Sequence, residues 1–167
     1  MSETYRSIRP ADYDDLYALA SRWEVVRQLG GWKWPPDPVQ IRERSKPYDG
    51  DGFVWAICRD DRLIGTISVT RGDLGYALHP DHQGQGVMGR ATRKAVATAF
   101  SGSDRDHITG STWHDNPASA RVLERLGFVH WQTVYIRSIA RGLPTLVHQR
   151  RLTRAAWQTL EKRQQLA

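Results

Sequence analysis

The chain has 167 residues, with 24 basic and 18 acidic side chains and a formal net charge of +6. That is the length of one domain, and residues 1–167 are read as one. An ordinary apolar fraction, no apolar run near the ~20 residues of a bilayer span, and a polar start, MSETYRSIRP, exclude a membrane helix and a secretory signal, so a cytoplasmic protein is expected.

The first element, IRPADYDDLYALAS from Ile8, reads as a strand end followed by an acid-rich first helical turn, with Leu16, Leu19 and Ala20 on one face. The next segment, 30-GGWKWPPDPVQ-40, is broken by Pro35, Pro36 and Pro38 and reads as a loop carrying two tryptophans. GFVWAICR and RLIGTISV flank Asp60 and Asp61, a hairpin with a polar turn. The only cysteine, Cys58, lies in the first of these runs; with no partner for a disulfide or a CxxC metal site, it reads as a buried structural thiol.

DLGYALH is a short strand, and 86-GVMGRATRKAVATAF-100 places Val87, Ala91, Ala95 and Ala99 at helical spacing. A strand, ITGSTWHD, precedes the helix 116-NPASARVLERLGF-128, which Gly127 ends. WQTVYIRS and TLVHQRRL are strands, and Thr153 caps a final helix. The order β-α-α-β-β-β-α-β-α-β-β-α predicts a mixed α+β domain and not a regular βαβ winding. From Arg137 onward seven basic residues face one acid, Glu161, so this tail carries the whole excess charge. It reads as a solvated basic face, because the aromatic strands or GXXG clamp of RNA binders are absent, and no nucleic-acid partner is expected.

The stretch 84-GQGVMG-89 is formally G-x-G-x-x-G. A Rossmann turn should follow directly on a strand, whereas 79-HPDHQ-83 intervenes, and Asp104 and Asp106 precede the next strand instead of closing it. No Gly-Lys-Ser/Thr follows, which excludes a P-loop. What is left is a glycine-rich entry into a helix, whose unpaired N–H groups and positive end suit an anion, or simply a tight turn.

Read as a whole, 78-LHPDHQGQGVMGRA-91 resembles the acetyl-CoA-binding motif of the GNAT superfamily of N-acetyltransferases, with Gln83, Gly84, Gln85, Gly86 and Val87 in the [Q/R]-x-x-G-x-[G/A] pattern and Met88 where glycine or alanine is usual. The segment 116-NPASARVLERLGF-128 resembles that family's N-x-x-S…E-[K/R]-x-G-F helix, about 30 residues downstream as the family places it. The resemblance is closest to the ribosomal-protein N-terminal acetyltransferase branch and covers nearly the whole chain, most weakly the first 50 residues. It implies a mostly antiparallel central sheet flanked by helices (the acyl-CoA N-acyltransferase fold), acetyl-CoA as cosubstrate, and direct acetyl transfer to a primary amine.

By the same resemblance, the main chain of Tyr76, Ala77 and Leu78, the stretch Gln83, Gly84, Gln85, Gly86, Val87, Met88 and Gly89, and Asn116 bind the cofactor. Many relatives protonate the departing thiolate with a tyrosine seven residues after the asparagine, here Leu123, which cannot donate; the ribosomal-protein branch uses the serine three residues after it, here Ser119. The usual glutamate five residues before the asparagine is Ser111. Candidates for the base are Asp73 and His114, with Asp73 preferred.

Trp32, Trp34, Trp113, His114 and Tyr135 are expected around the acceptor, whose aromatic walls suit cations and apolar stems. At neutral pH an α-amine of pKa about 8 is partly free base while a lysine near 10.4 is charged, which favours a protein or peptide N-terminus. Polyamine or aminoglycoside acetylation, and a non-catalytic acyl-CoA-binding module, are the alternatives. Histidines group no further than His79 and His82, so no metal is expected. A monomer or homodimer is expected, with no membrane partner.

Overall fold

The computed structural model describes residues 3–166; residues 1, 2 and 167 of the expected 1–167 domain lie outside the described residues. Seven strands form one sheet in the order β1-β2-β3-β4-β5-β7-β6. They are β1 (Thr4–Ser7), β2 (Gly52–Arg59), β3 (Arg62–Thr70), β4 (Asp73–Leu78), β5 (His107–Trp113), β6 (Val129–Arg137) and β7 (Pro144–Thr153). The helices are α1 (Tyr13–Ala20), α2 (Trp23–Val26), α3 (Pro38–Arg44), α4 (Val87–Ser101), α5 (Pro117–Arg125) and α6 (Arg154–Gln165). Every strand pair is antiparallel except β4 with β5.

Two tight turns set the register of the central meander. Asp60 and Asp61 take φ of 50° and 60°, and Arg71 and Gly72 take 51° and 81°. Paired left-handed residues are the two-residue hairpin turn whose twist matches the flanking strands, and aspartate tolerates that region better than most side chains. Arg59 therefore faces Arg62, and Thr70 faces Asp73.

The proline-rich segment is not loop throughout, because α3 starts at Pro38. Proline in the first helical position loses no hydrogen bond, and the Asp37 side chain caps the helix by accepting from the N–H groups of Val39 (2.9 Å) and Gln40 (3.4 Å). The other helix signals act as their chemistry dictates. Gly127 (φ 89°) donates to Glu124 O, and Phe128 donates to Leu123 O, the paired bonds of a Schellman ending. Thr153 caps α6 through the Ala156 N–H.

The sheet has a core on each face. On one, Ile67, Val69 and Leu74 pack against α4 and α5 through Val87, Ala91, Ala95, Val96 and Leu123. The small side chains of α4 let it lie close to the sheet. On the other, Ile8, Leu16, Val26, Ile41 and Ala56 pack together with Cys58, a free thiol that burial pushes above its ordinary pKa. No described helix is long and apolar enough to cross a membrane.

The feature that positions the site lies at the middle of the sheet. β4 and β5 pair only at Asp73 with Thr109 and Leu74 with Gly110. Beyond them β4 continues to Leu78 against β3 alone, and β5 to Trp113 against β7 alone. The sheet therefore opens between two strands whose facing edges have no partner there.

Candidate active site

At the end of β4 the chain turns through a short 3-10 segment, Pro80–His82, into α4. The Gln83 side chain donates to Leu78 O (3.0 Å) and ties this arm back to the strand. Gly84 and Gly86 have φ of 73° and 72°, a conformation that most side chains resist. The first intrahelical bond of α4 runs from Arg90 N–H to Gly86 O, and the N–H groups of residues 84 to 89 find no acceptor among the described residues. A Cβ added at Gly84 or Gly89 would meet nothing within 4 Å. Met88, the departure from the family pattern, packs inward against the main core and leaves this surface clear.

Two arginines frame the arm. Arg59 donates to Gln85 Oε1 (3.1 Å), Arg90 to Gln85 O (3.2 Å), and both to the Glu3 carboxylate (2.9 Å each). The Arg90 bond is the largest cause holding Glu3 down to about 2, well below an ordinary carboxyl. Free N–H donors, absent side chains and excess positive charge together fit the diphosphate of acetyl-CoA.

Beyond the opening stands the first turn of α5. Asn116 is its N-cap: Oδ1 accepts from the Ser119 N–H (3.1 Å), which leaves the amide NH2 to face a ligand. The Ser119 hydroxyl lies 2.6 Å from the Tyr76 hydroxyl. Alternation along β4 puts Leu74, Tyr76 and Leu78 on the α4 and α5 face, so the Tyr76 ring is partly buried and its polar tip must find a partner. Burial pushes the phenol up to about 12 despite the Ser119 hydrogen bond and the nearby Arg150 charge. Sequence reasoning used only the main chain of Tyr76; the alternation was the signal that could have exposed its side chain.

The opposite face of the same strands bounds an open cavity of about 820 Å³. Cross-strand pairs Ser68 with Gly75 and Thr70 with Asp73 line it, as do Trp32, Arg44 and Tyr48. Asp73 is exposed to this open space by surface area, yet protein surrounds most of its carboxyl. That burial pushes its pKa up, and the Thr109 hydroxyl, donating at 2.7 Å, partly offsets the rise.

Of the residues expected around the acceptor, only Trp32 is among those lining the cavity, joined there by the candidate base Asp73 and by Tyr76 and Ala77. Trp34 packs at a tilt against Trp23 outside it, with ring centroids 5.3 Å apart. Trp113 is buried at the end of β5 beneath the Arg141 guanidinium. His114 is exposed after β5, and Tyr135 is exposed on the edge strand β6. Among the described residues no three His, Cys, Asp or Glu side chains group to hold a metal ion.

Residues 4–129 match the acetyltransferase (GNAT) domain family. The chain belongs to that family. It is a GNAT N-acetyltransferase domain, and its opened sheet and glycine arm are where the family resemblance put the cofactor. The Bacillus subtilis protein described as "Probable N-acetyltransferase YjcK" is 42% identical over 98 residues, 54% of this chain and 54% of that relative, so the match spans about half its length. The uncharacterized N-acetyltransferase YoaA of Bacillus subtilis is 34% identical over 136 residues, 74% of this chain and 77% of the relative. The ribosomal-protein-serine acetyltransferase of Escherichia coli is 25% identical over 154 residues, 77% of this chain and 84% of the relative.

Solved structures share the fold. A spermidine N-acetyltransferase from Vibrio cholerae, in complex with CoA and spermine, superposes with a TM-score of 0.75 at 15% identity, covering 93% of this chain and 98% of the other. AAC(6')-Ib, in complex with ribostamycin and coenzyme A, gives 0.76 at 18% identity, covering 95% and 97%. The relatives thus include ribosomal-protein acetyltransferases among other branches of the family.

Proposed function

We propose that this chain transfers the acetyl group of acetyl-CoA directly to the free amine of a protein or peptide N-terminus. The observation that carries the reading is the split between β4 and β5: it lies between a glycine arm suited to a diphosphate and a cavity roomy enough for a chain end. Acetyl-CoA supplies the activated acyl group. The N–H groups of residues 84 to 89 hold its diphosphate, the unpaired edge of Tyr76, Ala77 and Leu78 holds the arm that leads to sulfur, and the Asn116 amide orients it.

Ser119 then donates a hydrogen bond where negative charge gathers on sulfur, and Tyr76 fixes the direction of that hydroxyl. With its pKa near 12, Tyr76 stays protonated at any working pH. Asp73 accepts the proton of the ammonium, and its raised pKa brings it closer to the amine it must relieve. An N-terminal amine of pKa about 8 needs less help from such a base than a lysine near 10.4. The similarity to the ribosomal-protein-serine acetyltransferase supports the same acceptor class.

Acetylation of matched peptides carrying one lysine, with the α-amine free or blocked, tests the proposal. Transfer confined to the free terminus is expected; faster modification of the blocked peptide overturns the choice of acceptor.

A further inference from the structure

The cavity contains a cation with no ion-pair partner among the described residues. Arg44, the last residue of α3, lines it, and no carboxylate lies within 4 Å of its guanidinium among the described residues. The neighbouring charges are already matched: Glu43 pairs with Lys46 and Asp37 with Lys33. Asp49, also on the lining, is exposed at its rim.

The guanidinium is held in place by neutral groups. It lies over the Trp32 ring at 4.6 Å, and Nη2 donates to Gly31 O at 2.8 Å. A Cβ on Gly31 would come within 3.2 Å of that nitrogen, so the glycine permits the approach. Nε is buried without a partner, and Nη1 has no acceptor among the described residues. Burial lowers the affinity of this group for its proton, but arginine stays charged in proteins, so the positive charge and its unused donors remain. A partly buried cation left uncompensated costs stability unless something of opposite sign meets it, and a planar guanidinium with free N–H groups is built for a carboxylate.

We infer that Arg44 is the acceptor's anchor: the preferred substrate is an amine that also carries a carboxylate, which Arg44 binds while Asp73, which lines the same cavity, receives the proton of the ammonium. The inference rests on the transferase reading of the site and adds the acceptor's chemical class. Polycations such as spermidine fit poorly, since they would bring further positive charge towards Arg44.

Thiol release from acetyl-CoA, measured with acceptors in acid and amide pairs, tests it. One pair is free glutamate against its diamide; the other is a short peptide with aspartate or asparagine after the N-terminal residue, and spermidine is the third arm. In at least one pair kcat/KM is expected to fall about tenfold or more from acid to amide, chiefly through KM, since one charged hydrogen-bonded contact is lost. The pair that responds tells a free amino acid from a peptide.

Arg44→Gln is expected to erase the difference between acid and amide, and Arg44→Lys to restore only part of it, because an ammonium lacks the planar fork. Calorimetry with coenzyme A checks that each variant is folded. The wild-type pairs need no variant, so an unstable Arg44→Gln leaves the test intact. Transfer that is equally fast to acid and amide, or fastest to spermidine, overturns the inference while leaving the transferase reading standing. Coenzyme A binding without transfer to any amine overturns both.

Discussion

The hydroxyl oxygens of Tyr76 and Ser119 lie 2.6 Å apart, joining β4 to the first turn of α5 on the face of the sheet that α4 and α5 cover. Among the described residues no other hydrogen bond reaches the Ser119 hydroxyl, so the proposed mechanism makes the tyrosine a positioning residue and the serine the donor. Ser119→Ala is expected to lower kcat by about 10²-fold, in the range seen when a positioned proton donor is removed. Tyr76→Phe is expected to cost about tenfold, since the donor survives but swings freely. Steady-state rates with saturating acetyl-CoA measure both; a Ser119→Ala enzyme turning over at the wild-type rate would reduce the pair to a structural contact.

Asp73 gives a signed pH dependence. Its carboxyl works as a base only when ionised, and burial pushes its pKa above the ordinary aspartate value. The rate kcat/KM should therefore climb as pH rises through that elevated pKa, with a second limb from the amine itself near about 8. Asp73→Asn is expected to lower kcat/KM by about 10²-fold and to abolish the lower limb. If the limb persists in the variant, the proton goes to His114 or to water instead.

Much of this architecture is written locally. The Asp60-Asp61 turn, the stripe Val87, Ala91, Ala95 and Ala99, the Thr153 cap and the Gly127 ending each depend on neighbours within a few residues, and the structure has all of them. The helix at Pro38 was hidden because the same proline that blocks a helix interior also starts one, and only the Asp37 cap tells the two apart.

The placement of β7 between β5 and β6 depends on pairings such as Trp113 with Val147, far apart in sequence, which no local signal fixes. The acceptor side was legible only in part for the same reason. Trp32 reaches the cavity and Trp113 does not because strand register and burial, and not residue type, decide which aromatic meets it. Arg44 carried no sequence signal at all; that no carboxylate lies within 4 Å of its guanidinium among the described residues is a property of the assembled fold.

Gly89 separates cofactor binding from folding. It sits in the first turn of α4, and an added Cβ would touch nothing in the protein. Helix propensity then makes Gly89→Ala stabilising by about 0.5–1 kcal/mol. A bulkier Gly89→Leu should still fold, yet it fills the surface where the diphosphate is placed. Its coenzyme A affinity, by calorimetry, is expected to fall at least about tenfold. Unchanged affinity in a folded Gly89→Leu would move the diphosphate off this arm.

Acid stability tests the fastening of the glycine arm. Glu3 lies between Arg90 and Arg59, and its carboxyl is held down from 4.5 to about 2, with the Arg90 hydrogen bond the largest cause. A carboxylate with a depressed folded pKa contributes stability that is complete above its ordinary value and is lost as pH falls towards the folded one. The contribution here is modest, because Arg90 is 54% exposed and solvent screens the pair. Urea unfolding of wild type and Glu3→Gln at pH 6 is expected to differ by about 1 kcal/mol, the upper range for an ion pair near the surface. The gap should close between about pH 4.5 and 2, and 1 M salt should shrink it at pH 6. A gap that keeps its size down to pH 2 would mean that Glu3 acts through packing and not through its charge.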